Sequence, residues 1–205
     1  MAEARKKAAE RLLDADAKAV ESVRPHRRSW PARALDPVAD LGDQPPMRLL
    51  CAAIIAAGLA GGDRRLAKAG VAMLAAHTLA TVAKDFVKRR VDRTRPRSRG
   101  KPGKDHRPSP GRSEAKEETS FPSGHAAGAA AVARAFARAY PEHGGPAYAA
   151  AGIIALAQIP RCAHYPTDVG AGLAIGLAAE AAVDAAARLL ESPRHPPELQ
   201  ERRHA

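Results

Sequence analysis

Apolar residues gather into five blocks, roughly 48–62, 69–87, 124–140, 146–160 and 168–190, separated by polar stretches. The stretches "LLCAAIIAAGLAGG", "AGVAMLAAHTLATVA", "AYAAAGIIALAQ" and "DVGAGLAIGLAAEAAV" show few β-branched runs and no strict apolar–polar alternation, so each predicts a helix. Ahead of them, Leu12, Leu13, Ala17, Val20 and Val23 form one weak apolar face on a charged segment. That pattern predicts an N-terminal amphipathic helix over 1–28, which either lies on a membrane surface or packs on the rest of the chain. The Pro- and Asp-rich segment 29–46 reads as a linker, with Trp30 either an interfacial anchor or a plain surface residue. Residues 97–119 are polar, Pro/Gly-rich and aperiodic, which predicts a long mobile loop within the helical domain 47–190, and 191–205 reads as a frayed tail. The fold class is therefore all-α: a bundle of about five apolar helices behind an N-terminal amphipathic helix.

Hydrophobicity bears on where such a bundle sits. A spanning helix wants about 20 apolar residues. The first block offers fewer, and the third carries Arg134 and Arg138. The succession of apolar blocks and their small residues nevertheless suits close helix packing in lipid, so the expectation is a membrane-embedded, multi-pass protein. The opening "MAEARKKAAERLLDADAKAVESV" has no apolar h-region and is not expected to be a secretory signal.

Composition narrows the chemistry. A chain of 205 residues, 45% hydrophobic and without a visible repeat, reads as one domain with a sizeable core. Cys51 and Cys162 form neither a ligand cluster nor a disulfide framework, so no metal and no cofactor is expected. The formal net charge of +11 is concentrated: Lys84 to Arg107 holds eleven Lys or Arg against three Asp. Such a run suits nucleic acid, anionic lipid or a phosphorylated substrate, and the lack of interleaved aromatics argues against nucleic acid.

The stretch "SFPSGHAAG", Ser120 to Gly128, stands just before an alanine-rich helix. A helix starting at Ser123 places the serine oxygen near its first free amides, and Gly124 permits close approach to the backbone. The helix N-terminus is then an anion seat with His125 beside it.

Three stretches, "KRRVDRTRP", "PSGH" and "HYPTD", share the order and spacing K-x6-RP, PSGH, H-x3-D. The combination resembles the type 2 phosphatidic acid phosphatase and vanadium haloperoxidase superfamily, over about residues 47–185. The resemblance implies that Lys88, Arg95, Ser123 and Gly124 bind phosphate. It also implies that His164 attacks phosphorus to give a phosphohistidine, with Asp168 orienting its ring and His125 protonating the leaving oxygen. It implies a lipid phosphate or prenyl (di)phosphate as substrate, membrane lipids as surroundings, and the bacterial inner membrane as location. The pattern departs at one place. The third motif's Ser-Arg pair is replaced by Ala157 and Gln158, which removes one phosphate cation, and Arg161 is the expected substitute. A catalytically impaired phosphate-binding protein and, less favoured, a vanadium haloperoxidase are the alternatives.

Overall fold

The computed structural model describes residues 1–99 and 106–191. Its helices are α1 (Ala2–Val23), α2 (Trp30–Ala34), α3 (Asp36–Asp40), α4 (Gln44–Ala60), α5 (Arg64–Lys88), α6 (Gly124–Ala139), α7 (Gly144–Leu156) and α8 (Pro166–Glu191). The five apolar blocks become α4 to α8, so the all-α expectation holds. Local chemistry sets the ends. Prolines occupy the first turns of α2, α3 and α4, where a missing N–H costs nothing. Asp63 caps α5 by accepting from the Leu66 amide at 3.0 Å. Gly62, at φ +68°, reverses the chain between α4 and α5.

The bundle is built around α6, which is buried along most of its length through Ala126, Ala127, Ala129, Ala130, Ala131, Ala133 and Ala135. Its neighbours are α5, α7 and α8. Close approach to α8 depends on Gly172 and Gly176, where an added Cβ would lie 2.4 Å from the Ser123 carbonyl oxygen and 2.3 Å from that of Ala127. Small residues thus replace large ones as the packing device, and contact area comes from backbone proximity. The charges that sat awkwardly in the third apolar block find partners on α8. Arg134 pairs with Glu180, while Arg138 reaches Glu180 at 3.2 Å and Asp184 at 2.5 Å.

Helices α5 and α8 are long and apolar enough to cross a membrane, while α4 is apolar but only 17 residues long. Leu49, Leu59, Val82, Phe86, Ile153 and Leu156 project outward from the bundle.

The N-terminal helix packs on the chain. Asp16, Ala17 and Val20 are buried, and Val20 joins Cys162 and Tyr165 in a small cluster, whereas Leu12 of the expected apolar face is 57% exposed. The linker folds into α2 and α3, and Ala39 is fully enclosed. Within the loop expected to be mobile, residues 100–105 lie outside the described residues, as does the tail from 192 onward. The described remainder is pinned: β1 (Val91–Asp92) pairs antiparallel with β2 (Ser109–Pro110). The Arg93 and Arg95 amides donate to the Glu118 and Glu117 carbonyls, both at 2.7 Å.

Candidate active site

One end of the bundle collects the exit of α5, the starts of α6 and α8, and the loop after α7. Ser123 begins α6 as the sequence predicts, its hydroxyl accepting from the Ala126 amide at 3.4 Å. Its own amide donates to the Asp168 carbonyl at 2.9 Å, which ties the start of α6 to the first turn of α8. Gly124 has a neighbour that the sequence did not name: a Cβ there would meet Lys84 Cε at 3.1 Å. Lys84, Lys88 and Arg95 are close enough that Lys88 feels the other two electrostatically. Lys88 Nζ donates to the Thr119 carbonyl at 2.6 Å.

His164 is 1% exposed, and its Nδ1 lies 2.7 Å from the Ser120 carbonyl oxygen. A carbonyl only accepts, so Nδ1 carries the proton and Nε2 is the nitrogen with a free lone pair. Asp168 Oδ2 stands 3.7 Å from the same Nδ1. The geometry therefore gives the tautomer-setting contact to Ser120 and leaves Asp168 a supporting place. Burial is the main force lowering the His164 pKa to about 4, with Arg95 and Lys88 adding to it and Asp168 opposing. The ring is neutral near pH 7, as a nucleophile must be.

Asp168 itself is the hub of a buried network. It accepts from Arg93 Nη1 at 2.5 Å, from the Ser120 hydroxyl at 2.5 Å and from the Tyr165 amide at 2.9 Å. Arg93 is 1% exposed and lies over the Tyr165 ring at 4.1 Å. Its second arm reaches Asp16 of α1 at 2.9 Å, and Asp16 also accepts from the Thr167 amide at 3.0 Å and from the Thr167 hydroxyl. A line of contacts thus runs Asp16, Arg93, Asp168, Ser120, His164.

The other wall is polar. Asp40, Asp43, Arg95, Arg97, Lys116, His125, Gln158 and Arg161 line a cavity of about 130 Å³. Burial and the neighbouring Arg97 lower the Arg95 pKa to about 10, and its buried Nε has no hydrogen-bond partner among the described residues. An orphaned guanidinium donor beside a cavity is suited to an anion. His125 Nε2 lies 3.0 Å from Asp43, and its ring centroid is 6.3 Å from that of His164. Arg161 reaches the cavity as expected, but its Nε pairs with Asp36 at 2.7 Å and its Nη2 with Asp40 at 2.9 Å. Gln158 is fully buried, donates to the Ile154 carbonyl at 3.2 Å and leaves its Oε1 without a partner.

All eight site residues named from the sequence, Lys88, Arg95, Ser123, Gly124, His125, Arg161, His164 and Asp168, fall at this end. Sequence reasoning missed Asp16, Asp43, Lys84, Arg93 and Ser120. A signal existed for two of them. Asp16 interrupts the Leu13–Ala17–Val20 face at helical spacing, and Arg93 stands two residues before Arg95 in an extended segment, hence on the same side.

Comparisons with known proteins bear on the fold and the family. No curated protein matches the chain. Two solved structures share its fold. The transmembrane PAP2-type phosphatidylglycerolphosphate phosphatase from Bacillus subtilis aligns with TM-score 0.61 and 21% identity over 90% of this chain and 89% of its own. LpxE from Aquifex aeolicus aligns with TM-score 0.59 and 19% identity over 82% and 93% respectively. Residues 65–186, which hold all three motifs and the whole of α6 and α7, match the model of the PAP2 superfamily, and the chain belongs to that superfamily.

Proposed function

We propose that the chain is a metal-independent phosphatase that hydrolyses a lipid-linked phosphomonoester or diphosphate through a phosphohistidine. The observation that carries this reading is the pairing of a neutral, tautomer-fixed His164 with an orphaned Arg95 donor, His125 standing across from them.

In the first step His164 Nε2 attacks phosphorus. A P–N bond forms, the bond to the leaving oxygen breaks, and its electron pair goes to that oxygen, which takes a proton from His125. Burial lowers the His125 pKa, while the Asp43 carboxylate, which accepts from Nε2, opposes it and favours the imidazolium, and it is that cation which donates from Nδ1 to the leaving oxygen. Lys88, Arg95 and the amides at the start of α6 balance the charge spread over the equatorial oxygens. In the second step His125 takes a proton from water, the hydroxyl attacks phosphorus, and the P–N pair returns to Nε2.

Lipid as the carrier is supported by two features. Outward apolar side chains on α4, α5 and α7 and two helices of spanning length, α5 and α8, support a membrane location, which we read as the bacterial inner membrane crossed several times. An apolar cleft of about 380 Å³, lined by Met47, Ile54, Met73, Val132, Phe136 and Ile154 among others, also approaches the site. A Cβ on Gly42 would touch both Ile154 and His125.

The test is phosphate release from a panel of lipid phosphates, with radiolabel trapping of an acid-labile phosphoprotein. Wild type turns over at least one member and His164→Ala loses about 10³-fold or more in kcat. Equal turnover by the two proteins overturns the phosphohistidine. A second reading, an impaired phosphate-binding protein, draws on the unpartnered Gln158 Oε1 where the family has a cation. Phosphate binding without turnover selects it.

A further inference from the structure

The polar cavity does not end at the catalytic residues. Arg97 and Arg161 line it, and they also line a second, adjoining cavity of about 300 Å³ completed by Arg27, Arg28 and Asp36. Among the described residues, the side chains of Arg27, Arg28 and Arg97 have no ion pair or hydrogen bond. Four guanidinium groups line the second cavity against Asp36, and Asp40 also pairs with Arg161, which leaves a surplus of about two positive charges by counting ionised side chains at neutral pH. Arg27, Arg28 and Asp36 lie outside the three motifs. Arg27 and Arg28 follow α1, Asp36 begins α3, and the match to the superfamily starts only at residue 65.

Direction gives the second cavity a meaning. Attack by His164 displaces the leaving group on the far side of phosphorus, in line. His125, which would protonate that group, is the residue that lines the first cavity beside Arg97 and Arg161. The leaving group therefore passes from His125 toward the arginines. We infer that the second cavity is a binding subsite for an anionic group carried on the leaving group, so that the preferred substrate bears a second phosphate beyond the one transferred. The chemical class is a lipid diphosphate, or a phospholipid whose terminal phosphomonoester is joined through a phosphodiester. Phosphatidate, whose leaving group is a neutral diacylglycerol, leaves the subsite empty. Guanidinium groups suit this ligand because each offers a planar pair of donors to phosphate oxygens. The inference rests on the hydrolase reading above, and its test separates the two.

The experiment compares dodecyl diphosphate with dodecyl phosphate in neutral detergent micelles, using wild type and the Arg27→Ala/Arg28→Ala double variant. The ratio of kcat/KM values, diphosphate over monophosphate, is expected to exceed about tenfold in wild type and to fall by at least about tenfold in the variant, as for loss of charge-assisted contacts. An unchanged ratio in the variant overturns the subsite while the hydrolase stands. A second measurement is independent of turnover. Trp30, the one tryptophan of the chain, is 82% exposed two residues after Arg28, and its emission reports binding of methylenediphosphonate against methylphosphonate. Tighter binding of the diphosphonate, lost in the variant, supports the subsite even if no lipid phosphate is hydrolysed, an outcome that sinks only the hydrolase. If the variant matches wild type in neutral micelles and differs only when phosphatidylglycerol is added, the arginines serve bulk anionic lipid and the proposal fails.

Discussion

Replacing Asp16 by alanine tests whether the N-terminal helix is part of the active site. The Asp16 carboxylate is 2% exposed and faces a fully buried Arg93. Its loss leaves the Nη2 arm of that guanidinium unpaired and also strips the Thr167 amide and hydroxyl of their acceptor. Removing one partner of a buried ion pair costs about 3–5 kcal/mol, because the remaining charge stays out of water. For a chain of this size each kcal/mol moves the thermal midpoint by roughly 2–4 °C, so a fall of about 10 °C is expected. Activity should suffer through geometry. Arg93 steadies Asp168, Asp168 holds the Ser120 hydroxyl, and the Ser120 carbonyl fixes the His164 ring. A loosened nucleophile lowers kcat by roughly 10–100-fold with a smaller change in KM. The assay pairs thermal unfolding in detergent with phosphate release, and Asp14→Ala is the control. That carboxylate is 56% exposed and lies 3.9 Å from Arg107, a surface pair whose loss should leave no measurable trace. An Asp16→Ala protein with a midpoint within about 2 °C of wild type, a shift below 1 kcal/mol, and unchanged kcat would refute the reasoning.

Other expectations are narrower. If Arg161 supplies the cation missing at Gln158, Arg161→Ala should lower kcat/KM by roughly 10–100-fold and Gln158→Ala by less than about threefold, and equal mildness would remove Arg161 from the site. The lowered His164 pKa also makes stability depend on pH. Between about 6.5 and 4 the unfolded chain binds a proton at this residue and the folded one does not, so stability falls as pH drops through that window. The His164→Gln variant should show a flatter midpoint-versus-pH curve than wild type, and parallel curves would contradict the assignment. The basic N-terminal segment and the basic residues 84–99 lie toward the active-site end of the bundle, and by charge bias we expect that end to face the cytoplasm. A Ser109→Cys protein in a Cys51→Ser/Cys162→Ser background should resist membrane-impermeant thiol reagents in intact cells and react after permeabilisation, so labelling of intact cells places the site outside.

The helices were legible because apolar blocks and their punctuation are local facts. Ser123 before a run of alanines marks a start that the structure reproduces, and the five apolar blocks match α4 to α8 within a few residues at most of their ends. The motif residues were legible because order and spacing survive in the chain itself. What escaped is contact at long sequence distance. Asp16 and Thr167 are 151 positions apart, and Arg161 meets Asp40 across 121, so nothing near either partner announces the other. The linker was read as a connector for the same reason. Only the fold shows Asp43 at His125 and Asp36 and Asp40 at Arg161.

The ion pairs between α6 and α8 have a consequence for how the chain is made. Arg134 precedes its partner Glu180 by 46 residues. At about 5–20 residues per second, ribosomal synthesis delivers the arginine roughly 2–9 s before the glutamate exists. Arginine at the centre of a spanning segment opposes insertion by about 2.5–3.5 kcal/mol on the translocon scale. On our multi-pass reading, α6 is therefore expected to wait at the translocon or the interface until α8 follows, so that the two enter as a neutralised pair. The central helix of the finished bundle would then be among the last to take its place, and a nascent chain halted before residue 180 would leave it stranded.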